Sequence, residues 1–250
     1  MGMFRFYFTA ASSPFFVTHM LCKFRKFEKH PEKFSEEERF QFAKDIMYHM
    51  KKRSHTETVV TGMENLPKDG GYIMYANHQG KYDAIGILLA YDKPCAVLME
   101  KKQSERIAAR QVIDLVGGIR LDFDDPRQQM KALTQLGDEV KNGKRFLIFP
   151  EGKWGDNKNT LQEFHSGCFR CSLQSKTPIV PVAIVDSYKG LNTNSLKKCT
   201  TYVHFLKPIY FEEYGNMKKN ELSALVKERI QEKIDEELAK RSAGKENKNA

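Results

Sequence analysis

From residue 72 onward, short apolar runs alternate along the chain with longer segments that have a helical pattern. We predict strands at 57–61, 72–76, 95–99, 119–122, 146–149, 179–185 and 200–205, and helices near 82–91, 103–116, 126–142 and 165–175. Strands that alternate with helices of ten or more residues are typical of a largely parallel sheet with helices on its faces. The sequence therefore predicts an α/β fold, built on a mostly parallel mixed sheet flanked by helices.

The chain of 250 residues is long enough for one domain with a real core and a small appendage. Apolar residues between Leu222 and Leu238 recur at helical spacing, which predicts an amphipathic helix. We therefore divide the chain into a basic, aromatic-rich helical segment at 1–55, an α/β domain at 56–215, a C-terminal amphipathic helix at 216–241 and a disordered tail at 242–250.

The first segment is basic and rich in aromatic side chains. Residues 1–55 carry eleven Lys or Arg against six Asp or Glu, in a chain of net charge +9. Its apolar stretch is interrupted by Ser12-Ser13-Pro14, so it is not a spanning helix, which needs about 20 consecutive apolar residues. We expect two short helical pieces around Pro14 that lie in a membrane interface and face anionic headgroups. The alternative is that the segment packs on the protein's own core.

Other partners and ligands have less support. The chain has no zinc-ligand spacing, no helix-turn-helix pattern and no aromatic RNA-binding motif, so we expect no nucleic acid and no metal. If the first segment lies on a bilayer, the protein is a peripheral or monotopic protein at the cytoplasmic face of a membrane.

A histidine and an aspartate stand five residues apart, directly after the predicted strand 72–76, in the stretch Asn77-His78-Gln79-Gly80-Lys81-Tyr82-Asp83. Histidine is the side chain best suited to accept a proton near neutral pH. A nearby carboxylate holds the ring in one tautomer and stabilises the imidazolium that forms. If Asp83 reaches back from the second turn of the following helix, the pair activates a hydroxyl group.

Three further blocks of sequence accompany this pair. Phe146 to Phe149 reads as a buried strand that runs into Pro150-Glu151-Gly152-Lys153. Before it comes a short strand opened by glycines, 117–122, and after it comes a proline-punctuated apolar strand, 177–184. Ligands of α/β folds bind at the carboxyl ends of such strands. The four blocks are therefore expected to meet at one edge of the sheet.

Together, from about residue 55 to residue 210, these blocks resemble the motifs of the glycerolipid acyltransferase family. Asn77, His78 and Asp83 match its Asn-His-x4-Asp motif, and 149–152 match the start of its Phe-Pro-Glu-Gly-Thr-Arg motif. The resemblance implies that His78 and Asp83 are catalytic. It also implies that Glu151, with Gly152 and Asn77, helps to position the acceptor.

The chain departs from the family where the family has arginines associated with the acceptor's phosphate. Phe123 follows Asp122 in place of one arginine, and Lys153-Trp154 replaces Thr-Arg. We expect Arg120, Lys153 and Lys101 or its neighbour Lys102 to contact the phosphate instead, unless the acceptor differs.

The resemblance implies transfer of a fatty acyl group from a thioester donor, acyl-CoA or acyl-carrier protein, to the sn-2 hydroxyl of lysophosphatidate in phospholipid biosynthesis. The thioester is a co-substrate, and no cofactor is expected. Three alternatives remain open. They are an acyltransferase with another lysolipid or hydroxyl acceptor, a membrane-lipid-binding protein without catalysis, and a hydrolase that uses water with the same pair. No Gly-x-Ser-x-Gly motif supports a serine hydrolase.

Overall fold

The computed structural model of the protein describes residues 2–106 and 108–249. Its strands are β1 (Thr56–Thr61), β2 (Tyr72–Ala76), β3 (Ala96–Glu100), β4 (Ile119–Leu121), β5 (Arg145–Ile148), β6 (Ile179–Val185) and β7 (Cys199–Phe205). Its helices are α1 (Phe4–Ala11), α2 (Pro14–Lys29), α3 (Glu36–Arg53), α4 (Asp83–Ala90), α5 (Lys101–Ser104), α6 (Ala109–Leu115), α7 (Pro126–Lys141), α8 (Arg170–Ser175), α9 (Tyr188–Leu191), α10 (Phe211–Tyr214) and α11 (Lys219–Asn249).

The strands form one sheet in the order β1-β7-β6-β2-β5-β3-β4. Neighbouring strands are parallel except β6 and β7, which pair antiparallel. The α/β class and the mostly parallel mixed sheet are confirmed. Strands β2 to β6 all point the same way, so their carboxyl ends lie at one edge of the sheet, which we call the carboxyl edge.

Helices cover both faces of this sheet. On one face Phe24 of α2, Ile46 of α3 and Ile87 of α4 belong to a core that includes alternate residues of β2, β5 and β6. On the other face Leu136 of α7 and Ile230 of α11 pack on the remaining residues of those strands. All five residues of β2 are buried, because side chains of a strand point alternately to its two faces and both faces are covered here.

The prediction of one continuous helix at 103–116 is wrong. The structure has two shorter helices here, α5 and α6, and Ala108 between them has a positive φ of 71°. A non-glycine residue in that region of backbone space cannot continue a right-handed helix. Ile107, which also falls in the predicted helix, lies outside the described residues.

The N-terminal segment does form two helical pieces on either side of Ser12 and Ser13, and Pro14 is the first residue of α2. One face of α2 is buried in the core through Met20, Phe24 and Phe27. The alternative of packing on the protein's own core therefore describes this face. No helix among the described residues is long and apolar enough to cross a bilayer.

The C-terminal helix differs from its predicted bounds of 216–241. Apolar residues on one face of α11, from Leu222 to Ile234, are fully buried against the sheet. The helix continues to Asn249, through most of the segment 242–250 where we predicted disorder. Ala250 lies outside the described residues.

Candidate active site

The predicted histidine and aspartate meet at the carboxyl edge. A turn of six residues, Asn77 to Tyr82, joins β2 to α4, and His78 Nδ1 lies 2.7 Å from Asp83 Oδ2. Asp83 is the first residue of α4 rather than a member of its second turn, so that detail of the prediction is wrong. The carboxylate reaches the ring because the turn folds back over the start of the helix.

The carboxylate of Asp83 is fully buried and receives further hydrogen bonds from the same turn. The backbone N–H groups of Gln79 and Gly80 both donate to Oδ2, the latter at 2.8 Å. Asp83 also stands at the N-terminus of α4, where the helix dipole favours a negative charge. These contacts hold the carboxylate in one orientation against His78.

The imidazole of His78 is fixed on a second side by an aromatic ring. It stacks on Phe149 at a centroid separation of 4.3 Å and an interplanar angle of 20°. The side chain remains 17% exposed, and no protein atom of the described chain hydrogen-bonds its Nε2. With Nδ1 held by Asp83, Nε2 is the nitrogen left to exchange a proton with a ligand.

Glu151 joins the ends of β2 and β5. It is buried, its Oε1 accepts the backbone N–H of His78 at 3.0 Å, and its Oε2 accepts from Gln162 Nε2 at 2.5 Å. Burial raises the pKa of Glu151 above its usual range. Both oxygens are engaged by protein groups, so the contact that the geometry shows is support of the His78 backbone. A contact with the acceptor stays a prediction.

Asn77 and Gln79 attach the turn to the end of β6. Asn77 Nδ2 donates to the carbonyl of Ile184 at 3.0 Å, and Ile184 N donates back to Asn77 Oδ1 at 2.8 Å. Gln79 Nε2 donates to the same carbonyl, and its Oε1 accepts from Ser187 N. Asn77 was predicted to bind substrate. In the structure its side chain hydrogen-bonds the backbone of β6 and so holds the residue that precedes His78.

The sequence analysis missed a polar network behind this turn. Asn159 Oδ1 accepts from Gln79 Nε2 at 3.0 Å, and Asn159 Nδ2 donates to Asp186 Oδ1 at 3.0 Å. Arg241 of α11 donates to Asp186 Oδ2 at 2.8 Å. The C-terminal helix is therefore connected to the turn between β2 and α4. Because these residues come from separate loops and from α11, no local pattern could have identified them.

Gly152 forms the turn after β5. Its φ of +71° favours glycine, and a Cβ at this position would lie 3.1 Å from the ring of His165. Phe123, which replaces a family arginine, lies against the same glycine with its Cζ 3.5 Å from that Cβ position. An aromatic ring rather than a cation therefore borders this turn. The predicted contact of Gly152 with substrate is not tested by these distances.

Two of the predicted phosphate-binding cations are paired with carboxylates. Lys101 Nζ lies 3.1 Å from Asp122 Oδ2, and Arg120 Nη2 lies 2.5 Å from Asp114 Oδ1. Lys101 directly follows β3 as the first residue of α5, and Arg120 lies on β4, so they stand two and three strands from β2, which is about 10 and 14 Å at the usual strand spacing. Lys153 is exposed on the turn after β5, two residues beyond Glu151. The structure therefore places Lys101 and Arg120 away from His78.

A different lysine, Lys81, lies in the turn between β2 and α4, which also carries His78. Lys81 Nζ stands 4.4 Å from the ring centroid of Trp154 and 5.4 Å from that of Phe6. It also contacts Met3 Sδ at 3.1 Å. Lys81 was not among the predicted site residues, although its place three residues after His78 was a signal. The start of the chain thus borders the site.

The arrangement is suited to general-base chemistry on a hydroxyl group, because an oriented histidine with a free nitrogen opens to the surface at the carboxyl edge. Among the described residues, no group of three or more His, Cys, Asp or Glu is placed to hold a metal ion.

Known proteins are similar to this chain in sequence and in fold. The sequence model of the Acyltransferase family matches residues 57–185, which include His78, Asp83 and Glu151. The 1-acyl-sn-glycerol-3-phosphate acyltransferase of Salmonella typhimurium is 26% identical over 178 residues, covering 70% of this chain and 72% of the relative. Its namesake from Saccharomyces cerevisiae is 30% identical over 194 residues, covering 76% and 64%. A crystal structure of the 1-acyl-sn-glycerophosphate acyltransferase of Thermotoga maritima has the same fold, with a TM-score of 0.70, 22% identity and 94% of each chain covered. The chain belongs to the acyltransferase family and is an acyltransferase.

Proposed function

We propose that this enzyme transfers a fatty acyl group from a thioester to the sn-2 hydroxyl of lysophosphatidate, giving phosphatidate for phospholipid synthesis. The observation that carries the proposal is the 2.7 Å contact between His78 Nδ1 and Asp83 Oδ2, which leaves Nε2 of the ring free. The relatives in bacteria and yeast, which are named for this activity, support the choice of acceptor.

In the proposed reaction, His78 Nε2 removes the proton of the acceptor hydroxyl as its oxygen attacks the thioester carbon. A C–O bond forms and the carbonyl oxygen becomes negatively charged. Collapse of this intermediate breaks the C–S bond, and the thiolate takes the proton from His78. Asp83 keeps the ring oriented and supports its positive charge between the two proton transfers.

The donor is acyl-CoA or an acyl-carrier protein, since both present the same thioester. The reaction as written moves one proton out and back and one acyl group across, with no electron transfer. We therefore propose no cofactor beyond the thioester co-substrate.

A second candidate function is acyl transfer to another lysolipid or hydroxyl acceptor. The specific observation in its favour is the replacement of cations around the turn after β5, where Phe123 lies against Gly152. Pairing of Lys101 with Asp122 points the same way, because a neutralised cation attracts a phosphate less strongly. A panel of lysolipids and neutral monoacylglycerols, assayed with one donor, distinguishes the two candidates.

The test of the chemistry is acyl transfer by purified protein to lysophosphatidate, with and without the base. Loss of a general base costs roughly 10²- to 10⁴-fold in rate, so we expect His78→Ala to retain less than about 1% of the activity. The matched control is His30→Ala, which removes an exposed histidine paired with Glu32. The lower bound of that range corresponds to about 1% of the wild-type rate. Activity in His78→Ala clearly above that level would show that another group is the base.

We also propose that the enzyme works as a peripheral or monotopic protein on the anionic, cytoplasmic face of a membrane. Support comes from three aromatic side chains of α1 and α2 that are exposed, Phe4, Tyr7 and Phe15. Phe15, at 91% exposure, is the most exposed of the three. Aromatic groups beside cations are typical of helices that lie in a membrane interface.

Vesicle sedimentation tests the membrane proposal. Burying one phenylalanine contributes about 2 kcal/mol, so Phe15→Ser is expected to weaken binding to anionic vesicles by roughly 30-fold. The control is Met130→Ser, which removes an exposed apolar side chain from α7 on the other sheet face. Equal binding of both variants contradicts the proposed membrane contact.

A further inference from the structure

An acceptor with a phosphate needs a cation close to the base. In lysophosphatidate the sn-2 hydroxyl and the phosphate ester oxygen are on adjacent carbons, so the two groups that bind them must also be close together. Lys101 and Arg120 are paired with carboxylates and lie two and three strands from His78. The charge that recognises the phosphate is therefore to be sought nearer to the catalytic turn.

Lys81 has the required position. It belongs to the same six-residue turn as His78, and its backbone N–H donates to Asn192 Oδ1 at 2.9 Å. That bond and the hydrogen bonds that Asp83 accepts fix the lysine backbone relative to the base. A ligand bound by Lys81 is consequently bound beside the turn that carries His78.

The ammonium of Lys81 has no strong acceptor from the protein. An ammonium has three donors, and the acceptor it meets in the described chain is the thioether of Met3, a weak one. The rings of Trp154 and Phe6 supply cation–π contacts instead. No described carboxylate lies within 4.0 Å of Lys81 Nζ. A half-buried cation in these surroundings favours the arrival of an anion.

A second positive charge acts on Lys81. After burial, the charge of Arg106 is the other cause that lowers the pKa of Lys81 from its usual range. Arg106 is exposed, and no carboxylate of the described residues lies within 4.0 Å of its guanidinium. The surroundings of Lys81 are thus positively charged, which favours the binding of an anion to its ammonium.

We propose that Lys81 binds the phosphate monoester of the acceptor, in place of the family arginines that this chain lacks. The assignment rests on the proposed function, because lysophosphatidate supplies that phosphate. Lys81 is then a residue that determines acceptor specificity, and the rings of Trp154 and Phe6 hold its ammonium in position when no acceptor is bound.

Trp154 offers a direct binding signal, because it is the single tryptophan of the chain and its ring lies 4.4 Å from Lys81 Nζ. We expect glycerol 3-phosphate to change the emission of Trp154 in a saturable way, whereas glycerol does not. Lys81→Met should abolish this response. Lys141→Met, which removes an exposed lysine at the last residue of α7, should retain it.

Kinetics test whether Lys81 binds the phosphate of the acceptor or a phosphate of the donor. A hydrogen bond between charged groups corresponds to roughly a ten- to hundredfold change, so Lys81→Met should raise the KM for lysophosphatidate by that factor with little change in kcat. Transfer to monoacylglycerol, which has no phosphate, should be unaffected. Lys81→Arg, which keeps the charge, should restore most of the affinity.

Several results overturn the proposal. An equal loss with lysophosphatidate and monoacylglycerol shows that Lys81 only holds Phe6 and Trp154 in place. A rise in the KM of the thioester donor alone assigns Lys81 to the donor's phosphates. An emission response that survives in Lys81→Met places the anion elsewhere. If the wild type gives the Lys81-dependent response but no transfer to lysophosphatidate, the proposed function fails while the phosphate site stands.

Discussion

Replacement of Asp83 by asparagine removes the negative charge from the proposed pair of His78 and Asp83 and keeps the shape of the side chain. With Nδ1 and Oδ2 2.7 Å apart, the centres of charge of an imidazolium and the carboxylate are about 4 Å apart, which corresponds to about 4 kcal/mol at an effective dielectric constant of about 20. Each factor of ten in rate corresponds to about 1.4 kcal/mol, so we expect kcat to fall roughly 10³-fold.

Neither orientation of the new amide repairs the site. If its oxygen faces His78, the amide nitrogen occupies the position of Oδ1, a buried atom that has no hydrogen-bond partner in the described chain. If its nitrogen faces His78, it also faces the N–H groups of Gln79 and Gly80, and it drives the ring proton onto Nε2, where it blocks the base. Both orientations lower the rate.

The assay is acyl transfer to lysophosphatidate at saturating donor, with the melting temperature measured on the same preparations. Asp235→Asn, an exposed substitution on α11, is the matched control and should keep full activity. A folded Asp83→Asn enzyme that retains more than about a tenth of kcat would refute the reasoning, because the carboxylate would then contribute less than about 1.4 kcal/mol.

Three further predictions concern stability and pH. Burial raises the pKa of Glu151, so folding becomes less favourable as pH rises from the ordinary glutamate range through the raised value. The side chain in Glu151→Gln does not ionise, so the melting temperature of this variant minus that of wild type should increase over that rise in pH. A difference that decreases contradicts this prediction. Phe24→Ala should destabilise the fold by about 3–5 kcal/mol in urea unfolding, whereas Phe15→Ala should not, and equal effects would mean that α2 is not part of the core. Because burial and Arg106 lower the pKa of Lys81, the KM for lysophosphatidate should rise at a lower alkaline pH than an exposed lysine would give. Lys81→Arg should remove this rise, since guanidinium stays protonated.

The dyad could be predicted from the sequence because its members are five residues apart and directly follow a strand. The network of Gln79, Asn159 and Asp186 could not, since its members are separated by 80 and 27 residues and meet only after the sheet has formed. The phosphate contacts proposed for Lys101 and Arg120 overlooked a local signal. Both cations lie within a short stretch that also holds their acidic partners Asp114 and Asp122.

The order of the sheet was equally beyond a local pattern. The strands at 179–185 and 200–205 were predicted, yet the 13 residues between β6 and β7 are compatible with either pairing, so the antiparallel pairing could not be derived from the length of the connection. The break between α5 and α6 includes Ala108, whose positive φ no residue pattern indicated. The packing of α2 likewise depends on tertiary contacts with α3, such as the stacking of Phe16 on His49.

The turn between β2 and α4 is anchored to β6 through Asn77 and to the turn after β5 through Glu151. On the proposed assignments, the group that activates the hydroxyl and the group that binds the phosphate therefore share one short piece of backbone. A change in the backbone of this turn would alter both functions together. Laboratory redesign of acceptor choice should consequently keep the backbone of the turn and vary the side chain at position 81.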